Sequence, residues 1–482
     1  MQRVFRRDDP DRGTISNPLE VPVALGQIGS DQQVRFYGEG VCISAFQAFA
    51  DCFCAEWPAV RMADSDEQWS LGAALGYKAF KSALHRMRRR KAVGADGLGV
   101  DMLLAPGVPE EVLQLYFQGL RCCALQKEFP QAWQRVIYVL LVKPKKDKRL
   151  VQQRRDIALM AQGMKVLGQM LLMTAFHDME SRLAEEQLGW TKAMGASEAS
   201  LLLVLCLQSA RRQRRAVYVL YVDLKTFFPA VHRGVATTSE LLKGLPASFT
   251  DTIGALFGEL TGEYDSAHGL GDPFRIYMGV LMGDVLSPDR AKILLDAVAL
   301  AVRATAVGVD LWGVGDGRRL LQILYADDWA GLFASLDQLL VAWSMWVAFA
   351  VASGCGLGIA GLDKTVVAGV GYTESGVPYD AYIPTLRTQG GQVVGRASLQ
   401  DGYPHMGRLR YVQGTVKGED ERMIKAWQGY IAQMRSFDLR PGEFMELGNI
   451  LTRGLGALGG LRDLCPGSFA SSWRLDFEQC TT

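Results

Sequence analysis

Two apolar runs, Leu320 to Leu324 and Trp329 to Phe333, are separated only by Tyr325-Ala326-Asp327-Asp328. Runs of this length about so short a spacer predict an antiparallel hairpin with two adjacent carboxylates at its tip. A straight strand sends neighbouring side chains to opposite faces, whereas a turn lets them converge. Hard divalent cations take carboxylate oxygens, so an acidic tip is a candidate ligand pair. In isolation such a pair is more often a solvated turn, and the reading depends on partners elsewhere in the chain.

The first partner is Asp223. It ends Val217 to Val222, a continuous run rich in β-branched and aromatic residues, which is the pattern of a strand buried on both faces. A carboxylate there either caps the next helix or is functional. Other runs fill in an α+β chain without internal repeats. Leu71 to Lys91 is helical, Gly94 to Gly97 a turn, and Val136 to Val142 a strand. Leu172, Phe176, Met179 and Leu183 recur at helical spacing, Ala291 to Val307 is a long helix after Pro288, and Val366 to Val370 is a further strand. Glu419 to Leu464 reads as amphipathic helices interrupted by Pro441 and glycines. Residues 1 to 70 carry no clear period, although Arg35 to Cys54 is apolar enough to pack.

Charge bears on partners. The 52 basic and 51 acidic residues leave a net charge of +1, so affinity for a polyanion has to come from local clusters. Three are present, at His85 to Lys91, Lys143 to Arg155 and Arg211 to Arg215, the footprint of phosphate contact. The 9 cysteines are odd in number and lack zinc-ligand spacing, which predicts a reduced intracellular protein, nuclear or cytoplasmic. Met1 to Arg12 is dense in charge, and no leader is expected there. Gln338 to Leu362 contains no charged residue, yet it holds Gly and Ser in its second half and is bounded by Asp337 and Asp363. It reads as a buried helix followed by a strand rather than a membrane span.

A buried strand ending in Asp223, intervening helices and then a hairpin bearing Asp327 and Asp328 form the arrangement that two-metal nucleotidyl transfer requires. Around it, blocks accumulate in order: Lys91 to Gly97; Phe129-Pro130-Gln131-Ala132-Trp133; Val136 to Lys143; Arg155-Asp156-Ile157-Ala158-Leu159 with Lys165; Gln187-Leu188-Gly189-Trp190; Asp223 to Phe228; Gly279 to Pro288; Tyr325 to Asp328; Gly361 to Thr365; and His405-Met406-Gly407. With these the chain resembles the reverse transcriptases of non-LTR retrotransposons, from about Leu84 to about Leu464.

The resemblance implies a right-hand polymerase fold. Fingers would occupy 71–215, and a palm with an antiparallel sheet 216–414, with a fingers insertion at about 236–275. A helical thumb and tail would occupy 415–482, and residues 1–70 an extension of unassigned role. It implies RNA-directed DNA polymerisation with an RNA template, a DNA primer, deoxynucleoside triphosphates and two Mg2+ ions, for which Mn2+ can substitute. No membrane is implied, and an endonuclease would come from another protein. Asp223 and Asp327 would bridge the metals, the Leu224 carbonyl would complete one coordination sphere, and Asp328 would be more peripheral. Lys143 and Arg155 would hold the triphosphate, a point charge and a planar fork. Phe228 would clash with a 2′ hydroxyl, Met282 and Gly283 would support the nucleotide, Lys364 would be general acid to pyrophosphate, and Met406 and Gly407 would grip the primer.

Four places depart from the family's pattern. Met282 stands for a glutamine, Val285 for a proline, Asp156 for a proline beside Arg155, and Asp289-Arg290 for residues that are usually apolar. Each is expected to weaken nucleotide binding, by about 1–3 kcal/mol for a lost buried polar contact. Met282, Val285 and Asp156 motivate a second expectation, a protein that keeps the fold and binds nucleic acid without polymerising. RNA-directed RNA polymerisation is a third, against which Phe228 argues.

Overall fold

In the computed structural model, the described residues are 20–37, 43–53, 71–143, 154–176, 182–191, 195–310, 319–358, 364–388, 390–406 and 408–414, with Met179 and short strands at 4–5 and 14–15. The expected thumb, the 144–153 part of the second basic cluster and Gly407 lie outside them. The architecture is α+β, and the chain divides into two compact units with interleaved segments.

The first unit comprises Met1–Leu183, Leu224–Ala301 and Met345–Leu357. Its sheet pairs strand Arg135–Val142 antiparallel with Arg154–Leu159 and parallel with Leu260–Ser266, which also pairs with Phe274–Ile276. One face is aromatic, with Tyr138, Tyr264 and Phe274 in mutual ring contact. The core continues through Phe80, Met164, Phe176, Phe249 and Leu286. The helical pattern expected over Leu71 to Lys91 is broken into Leu71–Ala74 and Tyr77–Arg86, because Gly76 is extended and serves as the N-cap of the second helix. The helix Gln162–Leu171 runs on into a π-helical turn, Leu172–Phe176.

Residues 1–70 hold two helices that periodicity does not reveal, Glu20–Tyr37 and Ile43–Phe53. The first contains Pro22, Gly26 and Gly29, poor helix formers that blur its pattern. Packing explains the glycines: a side chain at Gly26 would strike Asp272, and one at Gly29 would strike the Phe274 ring. Gln33 Oε1 accepts from the backbone N–H groups of Tyr277 and Met278 at 2.9 and 3.0 Å, tying the helix to the strand end.

The second unit comprises Ala184–Asp223, Val302–Ser344 and Gly358–Thr482. Its sheet runs, in spatial order, Gln322–Tyr325, Asp328–Phe333, Val217–Leu224, Val366–Tyr372 and Pro378–Asp380, all antiparallel. Alternation along the central strand puts Val217, Val219 and Tyr221 on one face. There they pack with Ala199, Leu203 and Leu207 of helix Ala196–Arg212 and with Ala330, Leu332, Val366 and Tyr403.

The uncharged segment forms helix Leu336–Ser353 and the short strand Leu357–Gly358. By length and composition the helix could cross a membrane. It buries Leu339, Trp343, Trp346 and Phe349, as a core helix does.

Candidate active site

The expected site residues fall into two sets, one in each unit. In the second unit, Trp329 pairs with Val222 on one side of the central strand and Val366 with Tyr221 on the other. Continuing both ladders to their ends brings Asp328 and Lys364 to either side of Asp223. Period-two alternation then directs all three side chains to the face that carries Tyr221.

Like charges directly across a ladder repel. Lys364 offsets this, its Nζ donating to Asp223 Oδ2 at 3.0 Å. The next residue secures the backbone: Thr365 Oγ1 accepts from the Asp223 N–H at 3.1 Å and donates to the Asp223 carbonyl at 3.4 Å. Thr365 is fully buried. The Tyr403 hydroxyl donates to the Lys364 carbonyl, and its ring stacks on Tyr221 with centroids 4.4 Å apart. Neither Thr365 nor Tyr403 stands out in the sequence. The Lys-Thr step is the only hint of the first, and the second depends on a long-range stack.

The hairpin has the expected form. Tyr325 pairs with Asp328, and Ala326 and Asp327 make the turn. Ala326 has φ +60°, in the left-handed region that non-glycine residues seldom enter. The 186–189 segment braces this turn. Leu188 N–H donates to the Leu324 carbonyl at 2.7 Å, and Leu324 N–H donates to the Glu186 carbonyl at 2.9 Å. Gly189 must be glycine, since a Cβ there would lie 2.0 Å from Ala326 N. Below the tip, buried Trp329 Nε1 donates to Gln322 Oε1 at 2.9 Å, fixing the strand pair.

Electrostatics at the tip are one-sided. Burial, then the Asp327 and Asp223 carboxylates, push the Asp328 carboxyl up to about 7, and Lys364 only partly opposes them. Three carboxylates face one ammonium, and hard oxygen donors with excess negative charge are the kind of ligand that Mg2+ takes. Among the described residues, no three Asp, Glu, His or Cys side chains gather closely enough to hold a metal unaided.

Met406, expected at the primer, has φ +50° and turns the chain between strands Tyr403–His405 and Arg408–Arg410. Its half-buried side chain packs against the Tyr221 face. His405 beside it is buried, 5.0 Å from the Tyr221 ring, and its pKa is pushed down to about 3 by burial and by Arg410.

In the first unit, the Gly279 to Pro288 loop carries Met282 and Gly283 and is joined by backbone hydrogen bonds to the strand of Arg155 and to Phe228. Ala158 N–H donates to the Met282 carbonyl at 2.7 Å, joining the loop to the Arg155 strand. Gly283 has φ +117°, and a side chain there would meet the Ala158 carbonyl at 2.5 Å. On the loop's other side, Val280 N–H donates to the Phe228 carbonyl at 2.9 Å. Arg155 and Gly283 are exposed, Met282, Phe228 and Lys143 are half-buried, and Leu224 is buried.

Two departures acquire a structural account. Asp156 does not sit beside the Arg155 guanidinium. Neighbours on a strand point to opposite faces, and Asp156 Oδ2 accepts from the Tyr264 hydroxyl at 3.2 Å on the aromatic face. Buried Asp284 caps helix Ser287–Thr305, accepting from Leu286 N–H at 3.1 Å and Ser287 Oγ at 2.9 Å. In the next turn, Arg290 is buried and donates from Nε to Glu240 at 2.5 Å. A charge on that helix is therefore compatible with its buried position.

No family model matches the chain, and no curated protein matches it either.

Proposed function

We propose that the chain is an RNA-directed DNA polymerase of the non-LTR retroelement type, with fingers, palm and thumb, that extends a DNA primer on an RNA template. The observation that carries the proposal is the cross-strand row of Asp328, Asp223 and Lys364 beside the Asp327 turn. It stands among sequence blocks in the order that such polymerases use.

Asp223, Asp327 and Asp328, with the Leu224 carbonyl, would hold Mg2+. When bound, that ion supplies positive charge where the 3′ hydroxyl is activated and pyrophosphate leaves. Lys364 carries a proton on Nζ that can pass to pyrophosphate once the ammonium leaves Asp223. Arg155 and Lys143 bind the triphosphate as a fork and a point charge. Phe228 excludes a 2′ hydroxyl by bulk, and Met406 and Gly407 orient the primer end.

The test of substrate class is competition between ribo- and deoxynucleotides in template-primed synthesis. Deoxynucleotides are expected to be incorporated, with Phe228→Ala admitting ribonucleotides. Ribonucleotide incorporation by the wild type would replace this reading with RNA-directed RNA synthesis.

A second reading keeps nucleic-acid binding without polymerisation. It is favoured by Met282, an apolar side chain where a hydrogen-bonding one is expected, and by the Lys364 ion pair that takes up an Asp223 oxygen. Met282→Gln would then raise extension from nothing to a measurable rate, and efficient extension by the wild type would exclude it.

A further inference from the structure

Strand Tyr403–His405 turns at Met406 into strand Arg408–Arg410, and this hairpin packs on the Tyr221 face of the second unit's sheet. Alternation puts Tyr403 and His405 on the same side of their strand, and both rings meet Tyr221, with centroids 4.4 and 5.0 Å away. Tyr221 stands two residues before Asp223 in the central strand. Its partner in the neighbouring strand is Val366, two residues after Lys364. Tyr403 therefore spans the two chain segments that carry the Lys364–Asp223 pair, its ring resting on one and its hydroxyl donating to the Lys364 carbonyl in the other.

Core filling accounts for the ring, since phenylalanine would stack on Tyr221 as well. The hydroxyl adds a tie to the Lys364 backbone. Such a tie matters for this residue because an ammonium on a flexible four-carbon stem, with its side chain 45 % exposed, is not held by packing. What can be fixed is the point from which the stem springs. Two more bonds secure that point: Thr365 Oγ1 accepts from the Asp223 N–H, and the Thr365 carbonyl accepts from the Gly395 N–H at 3.0 Å. We infer that Tyr403 is a positioning residue for proton donation: its hydroxyl holds Lys364 where the Nζ proton can pass to the bridging oxygen as that oxygen's bond to the α-phosphorus breaks. This role rests on the polymerase reading, in which Lys364 is the acid and Met406 orients the primer. One hairpin then sets both ends of the reaction, the primer that attacks and the group that protonates pyrophosphate.

Single-turnover extension of a DNA primer annealed to an RNA template by the full chain, over a deoxynucleotide concentration series with Mg2+, tests this. Tyr403→Phe is expected to lower the rate at saturating deoxynucleotide about tenfold, the equivalent of one hydrogen bond lost in the transition state. The half-saturating deoxynucleotide concentration and the affinity for the primer duplex are expected to stay within about twofold of the wild type, because the ring still seats the hairpin. Partial unfolding would lower the amplitude of extension and not its rate, so a purely structural role is told apart. In a Lys364→Met background, Tyr403→Phe is expected to change the rate by less than about twofold, since its effect passes through Lys364. A wild-type rate in Tyr403→Phe, or a loss of the same size that persists without Lys364, would overturn the inference and leave the polymerase reading standing. So would a loss expressed only in the half-saturating concentration. Absence of extension by the wild type with Mg2+ or Mn2+ would overturn that reading, and this role with it.

Discussion

Lys364 Nζ lies 3.0 Å from Asp223 Oδ2, joining the ends of two adjacent strands of the second unit's sheet. The pair is part-exposed, with side-chain accessibilities of 45 % for Lys364 and 25 % for Asp223. An ion pair so open to water contributes about 0–1 kcal/mol to stability. Lys364→Met is therefore expected to move the melting temperature little. If the ammonium delivers a proton to pyrophosphate, extension falls by about 10²-fold or more. Measuring both on one preparation separates the roles: a large stability loss with unchanged extension would make Lys364 structural.

Thr365 carries the opposite expectation. Its hydroxyl satisfies the Asp223 backbone from a fully buried position. Thr365→Val removes the hydroxyl at nearly constant shape and leaves a buried N–H unmet, costing about 1–3 kcal/mol. Thr365→Ser should retain most of that stability. Chemical denaturation of the two variants checks this, and equal losses would point to the methyl group instead.

The hairpin tip offers a paired prediction. Gly189→Ala drives a methyl into the Ala326 backbone and should cost about 1–3 kcal/mol by overpacking. Ala326→Gly relieves a left-handed alanine and should stabilise by up to about 1 kcal/mol. Unfolding midpoints decide, and a stable Gly189→Ala protein would mean that the 186–189 brace is not held as described.

Stability should depend on pH at both ends. The folded-state pKa of Asp328 is raised to about 7, so the folded state holds its proton more tightly than the unfolded chain. Its contribution is fully present below the ordinary carboxylate pKa and is lost as pH rises through 7. The loss is on the order of 1–3 kcal/mol, and Asp328→Asn should abolish it. Buried His405 acts in the other sense: its pKa is lowered to about 3, and stability falls as pH drops below about 6.5. His405→Phe should flatten that acid limb. Melting temperature against pH for the two variants distinguishes the groups. Mg2+ should raise the alkaline limb of the wild type by neutralising the carboxylates.

Much of this site is legible in local pattern. The hairpin follows from two apolar runs about a four-residue spacer, and the Asp223 strand from an unbroken apolar run with a carboxylate at its end. What local pattern misses is set by long-range partners. Pro22, Gly26 and Gly29 obscure a helix, and the two glycines are there because a side chain would strike Asp272 and Phe274. Asp156 looks like a neighbour of Arg155 along the chain, yet it faces Tyr264 across the sheet. Arg290 looks misplaced on an apolar helix until Glu240, fifty residues earlier, is found beneath it. The Lys364–Asp223 pair, 141 residues apart in the chain, depends on strand register that neither segment specifies alone.

On the proposed function, the Asp327 tip and Asp223 perform metal-dependent nucleotidyl transfer. The most direct measurement is extension of a DNA primer annealed to an RNA template by the purified chain, with deoxynucleotides and Mg2+, beside Asp327→Asn. Extension by the wild type that chelation abolishes and Mn2+ restores is expected, and none by Asp327→Asn at unchanged melting temperature. Absence of extension by the wild type with either metal, or equal extension by both proteins, would contradict it.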